Sequence, residues 1–158
     1  MKVKFQQFLH DEISEGDMIN LSAPVGGFSI ENTERPQLFI GSGVGMTPLV
    51  SMFKKAASLN VPTQMIQAVV TEDERPFAQK LDSITDNYEQ AQLHLHVKDK
   101  EGYLEAKELE QYLSEQPEIY ICGGTKFLHS IINSLKELNY DMNHVHFETF
   151  IPRLSVQV

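Results

Sequence analysis

One stretch constrains this chain's fold more than any other: the apolar run "QLFI" at 37–40, the turn "GSGVGMTP" at 41–48, and the periodic segment "LVSMFKKAASLN" that follows. A short apolar run, a glycine-rich turn and a helical pattern in immediate succession read as a buried strand feeding a helix. The helix has its own punctuation. Thr47 is placed to cap it, Pro48 suits its first position, and Asn60 with Pro62 stops it. A turn of this kind either cradles an anionic ligand or is only tight. The spacing Gly41, Gly43, Gly45 misses the Gly-x-Gly-x-x-Gly pattern because Met46 fills the last slot, and no Gly-Lys-Ser/Thr follows for a phosphate loop.

The remaining chain repeats the strand–helix alternation. "TQMIQAVV" (63–70), "QLHLHVK" (92–98), "EIYICGG" (118–124) and "HVHFETF" (144–150) read as strands. "RPFAQKLDSI", "LEAKELEQYL" (104–113) and "KFLHSIINSLKEL" (126–138) read as helices, the last with Phe127, Leu128, Ile131, Ile132, Leu135 and Leu138 on one face. Repeated units of this kind imply crossover connections. The fold class is therefore α/β, a doubly wound, five-stranded, mostly parallel sheet with helices on both faces. Residues 1–30 do not fit the alternation. "DMINLSAP" (17–24) reads as an antiparallel-type strand, so 1–30 are expected to be the tail of a different, antiparallel element and 31–158 the main domain, with Phe5, Phe8 and Phe28 packing those short strands. Left exposed, these rings would favour self-association into a homo-oligomer.

Charge narrows the partners. The net charge is −9, with no basic stripe, which disfavours nucleic acid and anionic membrane surfaces. No apolar run approaches the roughly 18 residues of a membrane span, and the N-terminus lacks an uninterrupted apolar core. Cys122 is the single cysteine, which excludes an intrachain disulfide and fits a reducing cytoplasm. An anionic ligand would have to be held by local dipoles. Two turns at strand ends offer them: Gly41 to Thr47, and Cys122-Gly123-Gly124-Thr125. Glycine admits close approach and positive φ, and the helix N-terminus after each turn presents free N–H groups.

At these residues the sequence resembles the nicotinamide-dinucleotide segment of the ferredoxin-reductase-like superfamily, and in particular the C-terminal reductase half of flavohaemoglobins. "GSGVGMTPLVSM" carries the likeness, with "FLHDEISEGDMINLSAPVGGF" similar to the last strands of that family's flavin barrel, which implies that 1–30 are a short remnant of that antiparallel β-barrel. "RPFAQKL", "YICGGTKFLHSIINSLKEL" and "HFETFIP" follow in the family's order and spacing. The resemblance implies that reduced nicotinamide dinucleotide lies across the carboxyl edge of the sheet and passes hydride to a flavin, with electrons going on to a haem or another acceptor. It implies that Gly41, Ser42, Gly43, Val44, Gly45, Met46, Thr47 and Pro48 line the pyrophosphate and nicotinamide ribose. Cys122, Gly123 and Gly124 would lie near the nicotinamide, and Glu148 and Phe150 near its junction with the flavin.

The sequence also departs from that family. The likeness begins downstream of the family's Arg-x-Tyr-Ser flavin motif, and Val3, Phe5 and Gln6 stand where a Gly-x-Val-Ser segment is expected. FAD is thus expected only from a missing or partner domain. Gly27 replaces a frequent Asp, Gly124 the proline of Cys-Gly-Pro, and Ile151 the glycine of the last motif. Two functions stay open: the NAD(P)H-binding module of a flavin oxidoreductase, or a non-catalytic nucleotide-binding or interaction module derived from it. Glu72, Asp73 and Glu74 after the second strand would repel a 2′-phosphate, which favours NADH over NADPH despite Arg75.

The other chemistry-bearing residues have structural readings. Cys122 at a strand end reads as an inert apolar filler. His94 with His96, and His144 with His146, read as satisfied strand faces and not as metal ligands.

Overall fold

The computed structural model describes residues 4–20, 23 and 26–149, with residues 4–6 by backbone alone. Five strands form one sheet: β1 (Gln37–Ser42), β2 (Thr63–Val69), β3 (Ala91–Val97), β4 (Glu118–Gly123) and β5 (Val145–Thr149). Every pairing is parallel and the order is β3-β2-β1-β4-β5. The chain winds outward from β1 to β3, then returns to place β4 on the other side of β1. The order therefore reverses between β1 and β4, where α/β sheets open a crevice at their carboxyl ends.

Both faces of the sheet are covered at its centre, which is why β1 and β4 read as apolar runs, while the edge strands β3 and β5 alternate with polar residues and are only partly buried. Phe39, Met65, Tyr120 and Cys122 pack against α2 (Met46–Ser58) and α3 (Ala78–Asn87), around the fully buried Leu49, Phe53 and Leu81. On the opposite face Leu38, Ile40, Ile66, Ile119 and Ile121 meet α5 (Ala106–Leu109) and α6 (Thr125–Glu137). Helix α6 contributes Leu128, Ile131 and Leu135 to that core, with Phe127, Ile132 and Leu138 partly buried beside them, as the periodicity predicts. Asn60 and Asn139, with φ of 59° and 54°, take the left-handed conformation after α2 and α6 that commonly ends a helix.

Several expectations are corrected. The sheet is wholly parallel, not mostly so. No remnant of an antiparallel barrel is present among the described residues: nothing before Gln37 is a strand, and Lys4–Asp11 forms helix α1. A strand needs a neighbour for its backbone groups, whereas "KFQQFLHD" closes its own hydrogen bonds as a helix. Leu21, Ser22 and Pro24 of the expected first strand lie outside the described residues, as does Phe150, and nothing is described of the Phe5 side chain. Phe8 is exposed, and Phe28 meets the ring of Tyr120 edge-on at 6.1 Å instead of packing a barrel. Thr47 caps nothing. Helix α2 begins at Met46 after Gly45, and the Thr47 hydroxyl donates to the Val44 carbonyl at 2.6 Å. Pro48 accordingly falls inside the first helical turn and not at its opening. The helix expected over 104–113 is split into α5 and a 3₁₀ turn at Glu110–Tyr112.

Candidate functional site

The two glycine turns come together at the β1/β4 reversal. After β1 the chain makes a single 3₁₀ turn, Gly43–Gly45, and the Met46 amide donates to the Gly43 and Val44 carbonyls as α2 starts. After β4, Gly124 leads into α6. Neither helix has a side-chain cap at its N-terminus. The 3₁₀ turn engages the Met46 amide, and the positive end of each helix dipole lies at the reversal without a neutralising side chain.

The glycines divide by task. Gly43 has φ +53° and Gly124 an ordinary φ, and a Cβ on either would meet nothing within 4 Å. Both open onto free space. Gly41 and Gly45 face inward. A Cβ on Gly41 would strike Leu49 and Met46, and one on Gly45 would lie 2.2 Å from the Cys122 carbonyl oxygen. Gly123 lies between the turns: a Cβ there would meet Phe127 at 2.6 Å and the Ser42 hydroxyl at 3.0 Å.

The expected site residues therefore separate. Ser42 and Gly43 line a cavity of about 310 Å³, while Val44, Thr47 and Gly124 are exposed and do not line it. Gly41, Gly45, Met46 and Cys122 are buried and shape the turn from beneath, with Gly123 also buried and Pro48 partly so. The Cys122 thiol belongs to the α2/α3 core. Its pKa is pushed up to about 11, first by burial and then by the negative charge of Glu148, its register partner on β5. This is the inert filler expected from sequence. Glu148 is half-buried.

The cavity also has walls that sequence reasoning missed. It runs from Ser42 and Gly43 over Val69 and Val70 to His96, Lys98, Tyr103 and Phe127. These come from the carboxyl ends of β2 and β3 and from α6. The Lys98 ammonium sits 4.8 Å over the Tyr103 ring. The loop after β3 begins with the short helix α4 (Lys98–Glu101) and is well tied. His96 bonds the Gly102 carbonyl at 3.0 Å, and the Val97 amide donates to Glu101 at 2.9 Å.

Within the acidic run after β2, only Glu74 lines the cavity. Glu72 pairs with Lys100, whose hydrogen bond and charge hold the Glu72 carboxyl below the ordinary range and the Lys100 ammonium above it. Arg75 turns away, 3.0 Å from Asp82 and bonded to Gln67. Among the described residues no cluster of His, Cys, Asp and Glu could hold a metal ion, and no helix is long and apolar enough to cross a membrane.

An all-parallel doubly wound sheet with a crevice at its reversal is the architecture of nucleotide-binding α/β domains. The chain belongs to the oxidoreductase NAD-binding domain family, whose model matches residues 39–132. It is 29% identical to a flavohemoprotein of Bacillus cereus over 98% of this chain and 42% of the relative, and 28% identical to flavohemoprotein B of Dictyostelium discoideum over 93% and 38%. The chain thus spans about two fifths of the length of these curated relatives. The crystal structure of the flavohem-like FAD/NAD-binding domain of nitric oxide dioxygenase from Vibrio cholerae superposes with a TM-score of 0.82 at 26% identity, over 92% of this chain and 64% of that one.

Proposed function

We propose that this chain binds NADH in the crevice and serves as the nicotinamide-binding part of a flavohaemoglobin-like oxidoreductase. One observation carries the reading: Gly43, in a left-handed conformation, and Gly124 leave open space at the two turns that lead into α2 and α6. That is a cradle for a pyrophosphate in a molecule whose overall charge repels anions. Ser42, Gly43, Val44 and Gly124 would contact the pyrophosphate, and the wall from Val70 to Tyr103 would take the adenosine. Gly123 and Glu148 would face the nicotinamide, and Phe150, which lies outside the described residues, is assigned there by the family resemblance alone. Buried Gly41, Gly45, Met46 and Cys122, with Thr47 and Pro48, would hold the turn in shape. Residues 31–158 would form the dinucleotide-binding unit.

Bound NADH would supply a hydride at its nicotinamide; the chain's part is to orient that ring and exclude water around it. The described residues offer no barrel to seat a flavin, so the flavin, and the haem or other acceptor beyond it, are assigned to another domain or chain. Glu74 in the cavity and Arg75 outside it support NADH over NADPH. Helix α1, where the family resemblance implies barrel strands, supports a second reading, a nucleotide-binding module without catalysis. Titration calorimetry with NADH and NADPH, beside the visible spectrum of the purified protein, tests both. NADH binding in a colourless protein, with hydride transfer once a flavin domain is added, supports the first. NADH binding without such transfer supports the second. No heat and no thermal protection by NADH would sink both.

A further inference from the structure

A second cluster of titratable groups lies at the amino edge of the sheet, away from the crevice. Glu118, the first residue of β4, is 2% exposed. His144 Nδ1 meets one of its oxygens at 2.7 Å, and His146 Nε2 meets the other at 2.9 Å. Arg35, in the connector just before β1, reaches the same place. Its guanidinium lies 2.6 Å from His144 Nε2, and its Nε donates to the Gln116 carbonyl at 2.8 Å.

The donors and acceptors here admit one solution. Arginine only donates, so His144 Nε2 must accept and carries no proton. Burial raises the Glu118 carboxyl, the hydrogen bonds from His146 and His144 lower it, and the group lies below its usual range. Glu118 is then an acceptor at neutral pH, and His144 Nδ1 must donate to it. His144 is therefore neutral, with its proton on Nδ1. A second proton could go only to Nε2, the atom that Arg35 occupies. Asp141 waits there as an alternative acceptor, one carboxylate oxygen 3.8 Å from Nε2.

We propose that His144 is a proton-operated latch on the connector: neutral, it holds Arg35 against the sheet, and protonated, it releases Arg35 and turns its Nε2–H to Asp141. The groups about the ring are Glu118 on β4, Arg35 in the connector, Asp141 in the same turn, Tyr140 before it and His146 on β5. His146 responds differently. Its Nε2 donates to Glu118, and its free Nδ1 lies 3.7 Å from Glu31, so a proton there attracts the connector. The acid response thus separates the two ends of the segment, loosening it at Arg35 and not at Glu31. Whatever precedes Gln37 is joined to the sheet through this segment, so the latch makes that joint pH-sensitive.

The test uses the whole chain labelled with ¹⁵N. At about pH 8 the imidazole shifts should show His144 as the Nδ1–H tautomer with Nε2 bare. Between about pH 8 and about pH 5, where imidazoles take up protons, the protection factor of the Glu118 amide, which ties the connector to β4 by donating to the Pro36 carbonyl at 2.8 Å, should fall about tenfold. Those of Leu38 to Ile40 should hold. His144→Phe should abolish the pH response at the Glu118 amide, and Arg35→Gln should do the same while leaving the His144 titration visible. An Nε2–H tautomer at pH 8 would overturn the latch without any variant being needed. Protection at the Glu118 amide that stays constant while His144 titrates would also overturn it.

Discussion

Gly45 lies so close to the end of β4 that a Cβ at this position would stand 2.2 Å from the Cys122 carbonyl oxygen and 2.5 Å from the Gly123 nitrogen. Both clashing groups are backbone, so no rotamer change relieves them. Gly43, two residues earlier in the same turn, has open space instead. The two glycines therefore predict opposite phenotypes. Gly45→Ala should cost about 2 to 4 kcal/mol in stability, by overpacking between two fixed backbones. Gly43→Asn should leave chemical denaturation nearly unchanged, because Asn tolerates the left-handed region, while its side chain enters the cradle. NADH affinity should fall about tenfold or more in Gly43→Asn. Urea melts and calorimetry on the pair check this, and a stable Gly45→Ala would remove the turn-on-strand contact from the account.

Cys122 should be silent to thiol reagents in the folded protein. Its side chain is fully buried and its pKa is pushed up to about 11 by burial and by Glu148, so almost no thiolate is present at neutral pH. Reaction with a disulfide reagent should proceed only at the unfolding rate and reach one thiol per chain in denaturant. Glu148→Gln should lower that pKa without exposing the thiol, leaving the native rate unchanged. Rapid labelling of the native chain would show that the end of β4 is open.

The Glu118 carboxyl is buried yet held below its usual range by His146 and His144. A depressed carboxylate contributes stability that is fully present above its unfolded pKa, about 4.3, and is lost as pH falls through the lower folded value. Glu118→Gln should therefore be less stable than the parent at pH 7 by about 1 to 3 kcal/mol. The gap should close as pH drops from about 5 to about 3. Denaturation curves across that range read the sign directly: a gap that widens in acid would mean that Glu118 is protonated in the native state.

How much of this was legible in the sequence depends on how far apart the interacting residues lie. Strands β1 and β4 announce themselves because a short apolar run ending in glycine is local. The face of α6 is local too, since Leu128, Ile131 and Leu135 recur with the helical period. Gly45 could be read as a turn glycine but not as a packing one, because its reason is the backbone of Cys122, far along the chain. Lys98 and Tyr103 escaped for a similar reason, although a signal existed: in a parallel sheet every carboxyl end faces the same side, so the loop after β3 stood beside the loop after β1. The bond between Arg35 and His144 spans 109 positions and has no local signature. Helix α1 was misread because the resemblance supplied strands that the described residues do not form.

The last prediction concerns which dinucleotide is accepted. Glu74 is the one member of the acidic run that lines the cavity, Glu72 being engaged by Lys100 and Arg75 by Asp82. A carboxylate near the adenosine ribose can accept hydrogen bonds from its hydroxyls and repels a 2′-phosphate. Lys98 faces the same cavity but is drawn over the Tyr103 ring. Glu74→Gln should thus improve NADPH binding with little effect on NADH. Glu74→Arg should shift the ratio of the two dissociation constants towards NADPH by about tenfold or more. Lys98→Gln should weaken NADPH more than NADH in either background. If both Glu74 variants keep the parental ratio, the 2′ position lies elsewhere along the crevice, and the adenosine must be turned away from the loop after β2.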